Sequence, residues 1–352
     1  MHPEVGQVVN GRYRLRRRIG DGGMGTVFMA EHHLLGTTHA LKFLHPHLAR
    51  NTVCAARFLR EAQLNARVAS GHVVKAWDVE HSGDGTPFLI MEYVDGVTLL
   101  EEYERMREEG TWLEPSLALG YFLQILAGVE AAHAQGVIHR DLNPANVLVE
   151  AREQGMPWLR LLDFGVAKLD VREAGTTLLT RPGMVMGTPE YMSPEQALAP
   201  AEADARSDVF ALGIMLYEML SGHQPVQGPL PAIVEGFRNS DYPSLHRVLD
   251  LDPDLVAVVH RAMAPDPAER FASASELRDA ILPFVPQDTL DALPPTVRPL
   301  CEPRSSGLGC DGPVTKRTLY GQPLLDEPKA GSAWLWVLAV VFVTLAATTI
   351  AV

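Results

Sequence analysis

The string HRDLNPANVL, residues 139–148, constrains this chain more than any other feature. It follows Gly136, which closes a long apolar pattern with helical spacing, so it reads as a loop. Within it Asp141 can accept the proton of an attacking hydroxyl, and Asn146 offers a neutral oxygen to Mg²⁺, a hard cation that prefers oxygen ligands. A second string, LLDFGVAK, brings Asp163 17 residues after Asn146. Leu161 and Leu162 form a short apolar strand that delivers this carboxylate into a turn made by Phe164 and Gly165. An Asp before an aromatic residue and a Gly is common by itself; behind the first string it becomes specific.

Upstream, IGDGGMGTVF runs from Ile19 through Gly20, Asp21, Gly22, Gly23, Met24, Gly25, Thr26 and Val27 to Phe28. A dinucleotide fingerprint would need a helix after these glycines. The residues that follow are β-branched and aromatic, so a strand–turn–strand flap over phosphates fits better, with a merely structural Gly-rich hairpin as the alternative. HALKFL places Lys42 in a strand beside Ala40, Leu41 and Phe43. Such a lysine either snorkels to the surface or is held against phosphate oxygens, and the second role needs a carboxylate partner. Glu61, in the helical pattern RFLREAQL, is the candidate. The segments YRLRRRIG, TVFMAEHHL, HALKFL, HVVKAWDVE and PFLIMEYV favour strands, broken by one helix around residues 54–69. After Gly96 the patterns turn helical, notably PSLALGYFLQILAGVEAAHAQG and SDVFALGIMLYEMLSG. The run Arg12, Arg14, Arg16, Arg17 and Arg18 reads as a solvated strand face.

Three further strings follow in order: GTPEYMSPEQA with Thr188, Pro194 and Glu195; RSDVFALG with Asp208 opening a buried helix; and DPAERF with Arg270, a candidate ion-pair partner of Glu195. Taken in chain order, the set resembles the eukaryotic-like Ser/Thr protein kinases, especially the bacterial branch with GxGGMGxV in its glycine loop. The likeness runs from about Tyr13 to Phe284. It implies an α+β, bilobal protein-kinase fold: an N-terminal antiparallel sheet lobe with one helix, about 13–95, and a larger helical C-terminal lobe, about 96–285.

By that resemblance Gly20, Gly22 and Gly25 cover the phosphates of ATP, and Lys42 holds the α- and β-phosphates while paired to Glu61. Met91 matches the gatekeeper, and Glu92 and Val94 match the hinge positions whose backbone meets adenine. Val27, Ala40 and Leu148 sandwich the ring, with Ile19, Asp21, Gly23, Met24 and Thr26 completing the nucleotide segment. Asp141 is the implied catalytic base, Asn146 and Asp163 hold Mg²⁺, and Thr188 lines the substrate site. Arg140 is implied to receive a phosphate from the activation loop, where Thr180, then Thr176 and Thr177, are the expected autophosphorylation sites. Protein substrates are implied partners, and back-to-back homodimerisation is an expectation of the family. One departure stands out: Ser/Thr kinases usually carry Lys two residues after the catalytic Asp, and this chain has Asn143. The lysine neutralises charge on the transferring phosphoryl group, whereas Asn only donates a hydrogen bond. A pseudokinase or nucleotide-binding scaffold is therefore one alternative, and a small-molecule phosphotransferase with a related core is another.

The rest of the chain sets the context. Its net charge of −13 gives no general attraction to nucleic acid. Three cysteines, Cys54, Cys301 and Cys310, without a CxxC pair, suit a reducing cytosol, and residues 1–30 lack the apolar core of a signal peptide. Residues 1–12 read as an N-terminal tail, and residues 286–332, rich in Pro and Gly, as a flexible juxtamembrane linker. Residues 333–352, AWLWVLAVVFVTLAATTIAV, are uncharged and long enough to cross a hydrocarbon core, with Trp334 and Trp336 at one edge. Lys316, Arg317 and Lys329 precede this expected transmembrane helix, which places the kinase-like part in the cytoplasm and the chain as a single-pass protein of the inner (cytoplasmic) membrane. With nothing after the span, the expected input comes from the cytoplasmic side, lateral association or a partner.

Overall fold

A computed structural model describes residues 3–163 and 188–301. The chain divides into two units, Met1–Pro303 and Arg304–Val352, and all described residues belong to the first. The expected transmembrane helix, residues 333–352, and the expected phosphorylation sites Thr176, Thr177 and Thr180 lie outside the described residues, as do Phe164 and Gly165.

The N-terminal lobe is a six-stranded antiparallel sheet in the order β1-β2-β3-β4-β6-β5. Its strands are β1 (Val8–Val9), β2 (Tyr13–Asp21), β3 (Gly25–His32), β4 (Thr38–Leu44), β5 (Ala76–His81) and β6 (Pro87–Glu92). Helices α1 (Pro46–Ala49) and α2 (Thr52–Asn65) lie between β4 and β5. Asn51 starts α2, its side chain accepting from the N–H groups of Val53 at 3.0 Å and Cys54 at 3.3 Å. The period of two along β4 decides where Lys42 points. Leu41 and Phe43 join Leu15, Phe28, Phe88 and Ile90 in one core cluster. Ala40 and Leu44 face the other way, with Phe58 and Ala62 of α2, so Lys42 is aimed at that helix. The arginine run behaves as a strand's outer face, with Arg16 paired to Glu31 and Arg12 to Glu80. Residues 6–9, expected to be tail, are tied into the sheet: Gly6 donates to the Leu15 carbonyl at 2.8 Å, and Leu15 to that of Gln7 at 2.9 Å.

The C-terminal lobe opens with a three-stranded sheet of β7 (Gly96–Thr98), β8 (Val147–Glu150) and β9 (Trp158–Leu161). Between β7 and β8 run α3 (Leu99–Glu109), started by a Thr98–Glu101 capping box, and α4 (Pro115–Ala134). Further helices follow: α5 (Pro194–Leu198), α6 (Ala205–Ser221), α7 (Leu230–Arg238), α8 (Leu245–Val248), α9 (Pro253–Ala262) and α10 (Ala274–Ile281). Among the described residues only α4 is long and apolar enough to cross a membrane, and it is mostly buried. It is the core helix of this lobe, apolar all round because α6, α10 and β9 enclose it. Gly128 of α4 permits a close approach: a Cβ there would lie 2.7 Å from the His72 carbonyl oxygen.

Two differences from the sequence reading concern segment ends. Residues 72–74, expected to be strand, instead lie beside β9, where Val74 donates to the Leu161 carbonyl and Leu161 to that of His72, each at 2.9 Å. The linker expected from residue 286 is in part ordered, forming α11 (Gln287–Ala292) and α12 (Arg298–Cys301). Its prolines masked an apolar stripe: Leu293 and Val297 are buried against the lobe, and Thr289 packs on Gly120 of α4. Thr296 completes this contact through a 2.8 Å hydrogen bond to His72 Nε2.

Candidate active site

The motifs scattered along the sequence converge here. Lys42 Nζ lies 2.9 Å from Glu61 Oε1 of α2 and 2.8 Å from Asp163 Oδ2. Burial alone would lower the Lys42 pKa, but the charges of Asp163 and Glu61 outweigh it and hold the ammonium above the ordinary lysine value. The same burial pushes Glu61 upward, against the pull of Lys42. A buried lysine held by two carboxylates is not a snorkelling one.

The loop 139–146 is built around buried Asp208 of α6. Its carboxylate accepts from the backbone N–H groups of His139 at 2.8 Å and Arg140 at 2.7 Å, and bonds His133 Nε2 at 2.8 Å. Burial tends to raise the Asp208 pKa, yet these donors keep it below the usual carboxylate range. The anchor lets Arg140 hold a left-handed φ of 64°, a conformation rare outside glycine. His139 is fully buried, and its Nε2 donates to the Leu162 carbonyl at 2.9 Å, beside Asp163. Asn146 reaches the same place from the other side, its backbone carbonyl accepting from the Leu162 N–H at 2.9 Å.

Asp141 is held within this loop by the side chains of two asparagines. Asn146 Nδ2 donates to the Asp141 backbone carbonyl at 2.8 Å, which commits its nitrogen and reserves its amide oxygen as an acceptor. Asn143 Nδ2 donates to the same carbonyl at 2.9 Å and to Asp141 Oδ1 at 3.2 Å, while its Oδ1 accepts from Ala145 N–H at 3.0 Å. Thr188, Arg140 and Asp141 line one small cavity with Leu142 and Gln196. Glu195 and Arg270 form the expected pair, at 2.7 and 2.8 Å through both carboxylate oxygens.

The residues expected to form the adenine shelf lie together. Ala40 and Met91 belong to one apolar cluster, with Met24, Val27, Val94 and Leu148 packed at its margin. The Glu92 N–H is taken by the Lys75 carbonyl at 2.9 Å, so any backbone contact from Glu92 to a base uses its carbonyl. Ile19, Gly20, Asp21, Gly22 and Gly23 form the turn of the β2–β3 hairpin and its approach, with Thr26 Oγ1 donating to Asp21 Oδ1 at 2.9 Å. Gly25 has to be glycine here, because a Cβ would collide with the Phe43 carbonyl oxygen.

These residues fit a metal-bound triphosphate. Asn146 and Asp163 supply one amide and one carboxylate oxygen, the hard donors that Mg²⁺ takes alongside phosphate oxygens and water. Among the described residues no group of three His, Cys, Asp or Glu gathers as a self-sufficient metal site. Sequence reasoning missed the Asp208 anchor's partner His133, and also His72 and Thr296, which sit 224 residues apart.

Comparison with known proteins agrees with this geometry. The family "Protein kinase domain" matches residues 13–280. The chain is 39% identical over 278 residues to serine/threonine-protein kinase pkn2 of Myxococcus xanthus, covering 78% of this chain and 32% of that protein. It is 36% identical to serine/threonine-protein kinase PksC of Streptomyces coelicolor, covering 91% of this chain and 57% of that protein. The crystal structure of the Mycobacterium tuberculosis PknI kinase domain superposes with a TM-score of 0.58 at 28% identity, covering 80% of this chain and 98% of that one. The chain thus spans from about a third to somewhat over half the length of these curated relatives.

Proposed function

From the premise that this chain belongs to the bacterial type of eukaryotic-like Ser/Thr protein kinases, we propose that it transfers the γ-phosphate of ATP to Ser and Thr hydroxyls of proteins. The observation that carries this reading is the buried Lys42–Glu61 pair bonded onward to Asp163. A nucleotide-binding scaffold with no transfer has no need of that arrangement beside an intact Asp141. Asn146 and Asp163 would hold Mg²⁺, which neutralises phosphate charge when bound. Lys42 holds the α- and β-phosphates, and the shelf of Ala40, Met91 and Leu148 orients the base. Asp141 accepts the proton of the substrate hydroxyl as its oxygen bonds to the γ-phosphorus. The bond from that phosphorus to the β–γ bridging oxygen breaks, and ADP leaves. The test is label transfer from ATP–Mg²⁺ to a generic protein substrate, with Lys42→Ala beside wild type. Equal transfer by both contradicts the reading.

Activation is proposed to follow phosphorylation of Thr180, with Thr176 and Thr177 as secondary sites. A phosphate brings about −1.5 to −2 charge, which Arg140 would receive. Phosphopeptide mapping of active protein that finds residues 164–187 unmodified counts against this. We further propose that residues 333–352 cross the inner membrane once and leave the kinase in the cytoplasm. Their uncharged length and flanking tryptophans support it. Carbonate extraction of membranes tests the anchor: full-length chain is expected in the pellet, and recovery in the supernatant overturns it.

A further inference from the structure

We propose that His45 is a positioning residue for the nucleotide phosphates, holding the tip of the glycine loop through two of its backbone carbonyls. The inference rests on the reading of that loop as the cover of ATP. His45 follows the last residue of β4 and precedes α1. Its backbone N–H donates to the Met24 carbonyl at 2.9 Å. Its ring Nε2 reaches the Gly22 carbonyl, also at 2.9 Å. A carbonyl only accepts, so Nε2 carries the hydrogen.

The consequence follows from peptide geometry. In a trans peptide the carbonyl and the next N–H point in opposite directions. Drawing the Gly22 and Met24 carbonyls toward His45 turns the N–H groups of Gly23 and Gly25 away from it. Outward N–H groups in a glycine turn are what a phosphate oxygen needs. The loop closes its own turn, since Gly22 N–H donates to the Gly25 carbonyl at 3.0 Å. What His45 adds is the orientation of two peptide planes.

His45 is itself well seated. Its carbonyl accepts from the N–H groups of Leu48 and Ala49, each at 2.9 Å. Pro46 restricts it to extended backbone, with φ −58° and ψ 139°. The ring stacks on His47 with centroids 5.6 Å apart and planes within 16°. Asp21 Oδ1 lies 3.9 Å from Nε2. The Asp21 carboxylate is in turn fixed by Thr26.

The experiment compares full-length wild type, His45→Leu and His45→Gln by titration calorimetry with ATP–Mg²⁺ and by steady-state kinetics. Losing one positioning hydrogen bond is expected to raise the ATP Kd and KM about fivefold in His45→Leu. The KM for protein substrate, kcat and the melting temperature stay at wild-type values. His45→Gln, whose amide N–H can reach the same carbonyl, restores ATP affinity. An ATP Kd unchanged in His45→Leu overturns the role of His45 alone, as does a Gln variant as weak as the Leu one. Wild type that fails to bind ATP–Mg²⁺ overturns the kinase reading, and the role of His45 with it.

Discussion

Asn143 donates a hydrogen bond from Nδ2 to the Asp141 carboxylate at 3.2 Å, and a second to its backbone carbonyl at 2.9 Å. Where relatives of this family carry a lysine, this chain has a short amide that orients Asp141, the proposed base, without charge. Its Oδ1 also caps the turn at Ala145. Asn143→Ala removes both functions and is expected to lower kcat by about 10²-fold. Asn143→Lys restores charge near the transferring phosphoryl group and is expected to raise kcat by roughly tenfold over wild type. Steady-state kinetics at saturating ATP measures both, and a lysine variant slower than the alanine one contradicts this division of roles.

Arg270 and Glu195 bind through two parallel hydrogen bonds, and the Arg270 side chain is 0% exposed. Three backbone carbonyls, of Arg206, Ala264 and Pro265, take its remaining donors. Glu195 also accepts from Ser207 Oγ at 2.7 Å. Removing one partner strands a buried charge, so Arg270→Ala is expected to cost about 3–5 kcal/mol of stability. Replacing both partners by apolar residues is expected to cost less than the sum of the single changes. Urea unfolding of the two single variants and the double variant measures this coupling.

His72 gives the fold a pH dependence of definite sign. Burial, aided by the nearby Arg160 charge, lowers its pKa from 6.5 to about 4, although its hydrogen bond to the Leu159 carbonyl opposes the shift. The unfolded chain therefore binds a proton between these two values that the folded chain refuses. Stability from this site is complete above pH 6.5 and is lost as pH falls toward 4. The loss amounts to about 3 kcal/mol over the full window. His72→Gln is expected to flatten this limb relative to wild type in urea unfolding at pH 7 and pH 5. Equal slopes in the two proteins contradict it. Thr296→Val, which removes the hydroxyl donor to Nε2, is expected to cost about 1 kcal/mol at pH 7.

The candidate catalytic groups were legible because each sits in a short local string whose chemistry is explicit: Lys42 in a strand, Asp141 and Asn146 in one loop, Asp163 behind Leu162. Their convergence was legible only through the order of those strings. The supports were not. Asp208 could be placed on a buried helix, but nothing local showed that it would hold the backbone of His139 and Arg140. His72 and Thr296 meet across 224 residues, and neither neighbourhood carries a periodic signal. The prolines after Leu293 made a packed segment look like a tether, because composition averages over the few residues that do the packing, among them Leu293 and Val297. His45 lies in a His-Pro-His run that carries no functional signal of its own, and the register of Gly25 opposite Leu44 brings it to the glycine loop.

The most direct measurement is phosphoryl transfer by Asp141→Asn beside its affinity for ATP–Mg²⁺. With Asp141 as the proposed base, ATP binding is expected to match wild type while label transfer to protein falls by about 10²-fold or more. Transfer at the wild-type rate by this variant would contradict a role for Asp141 as the base, and with it the reading of this site as a protein kinase centre.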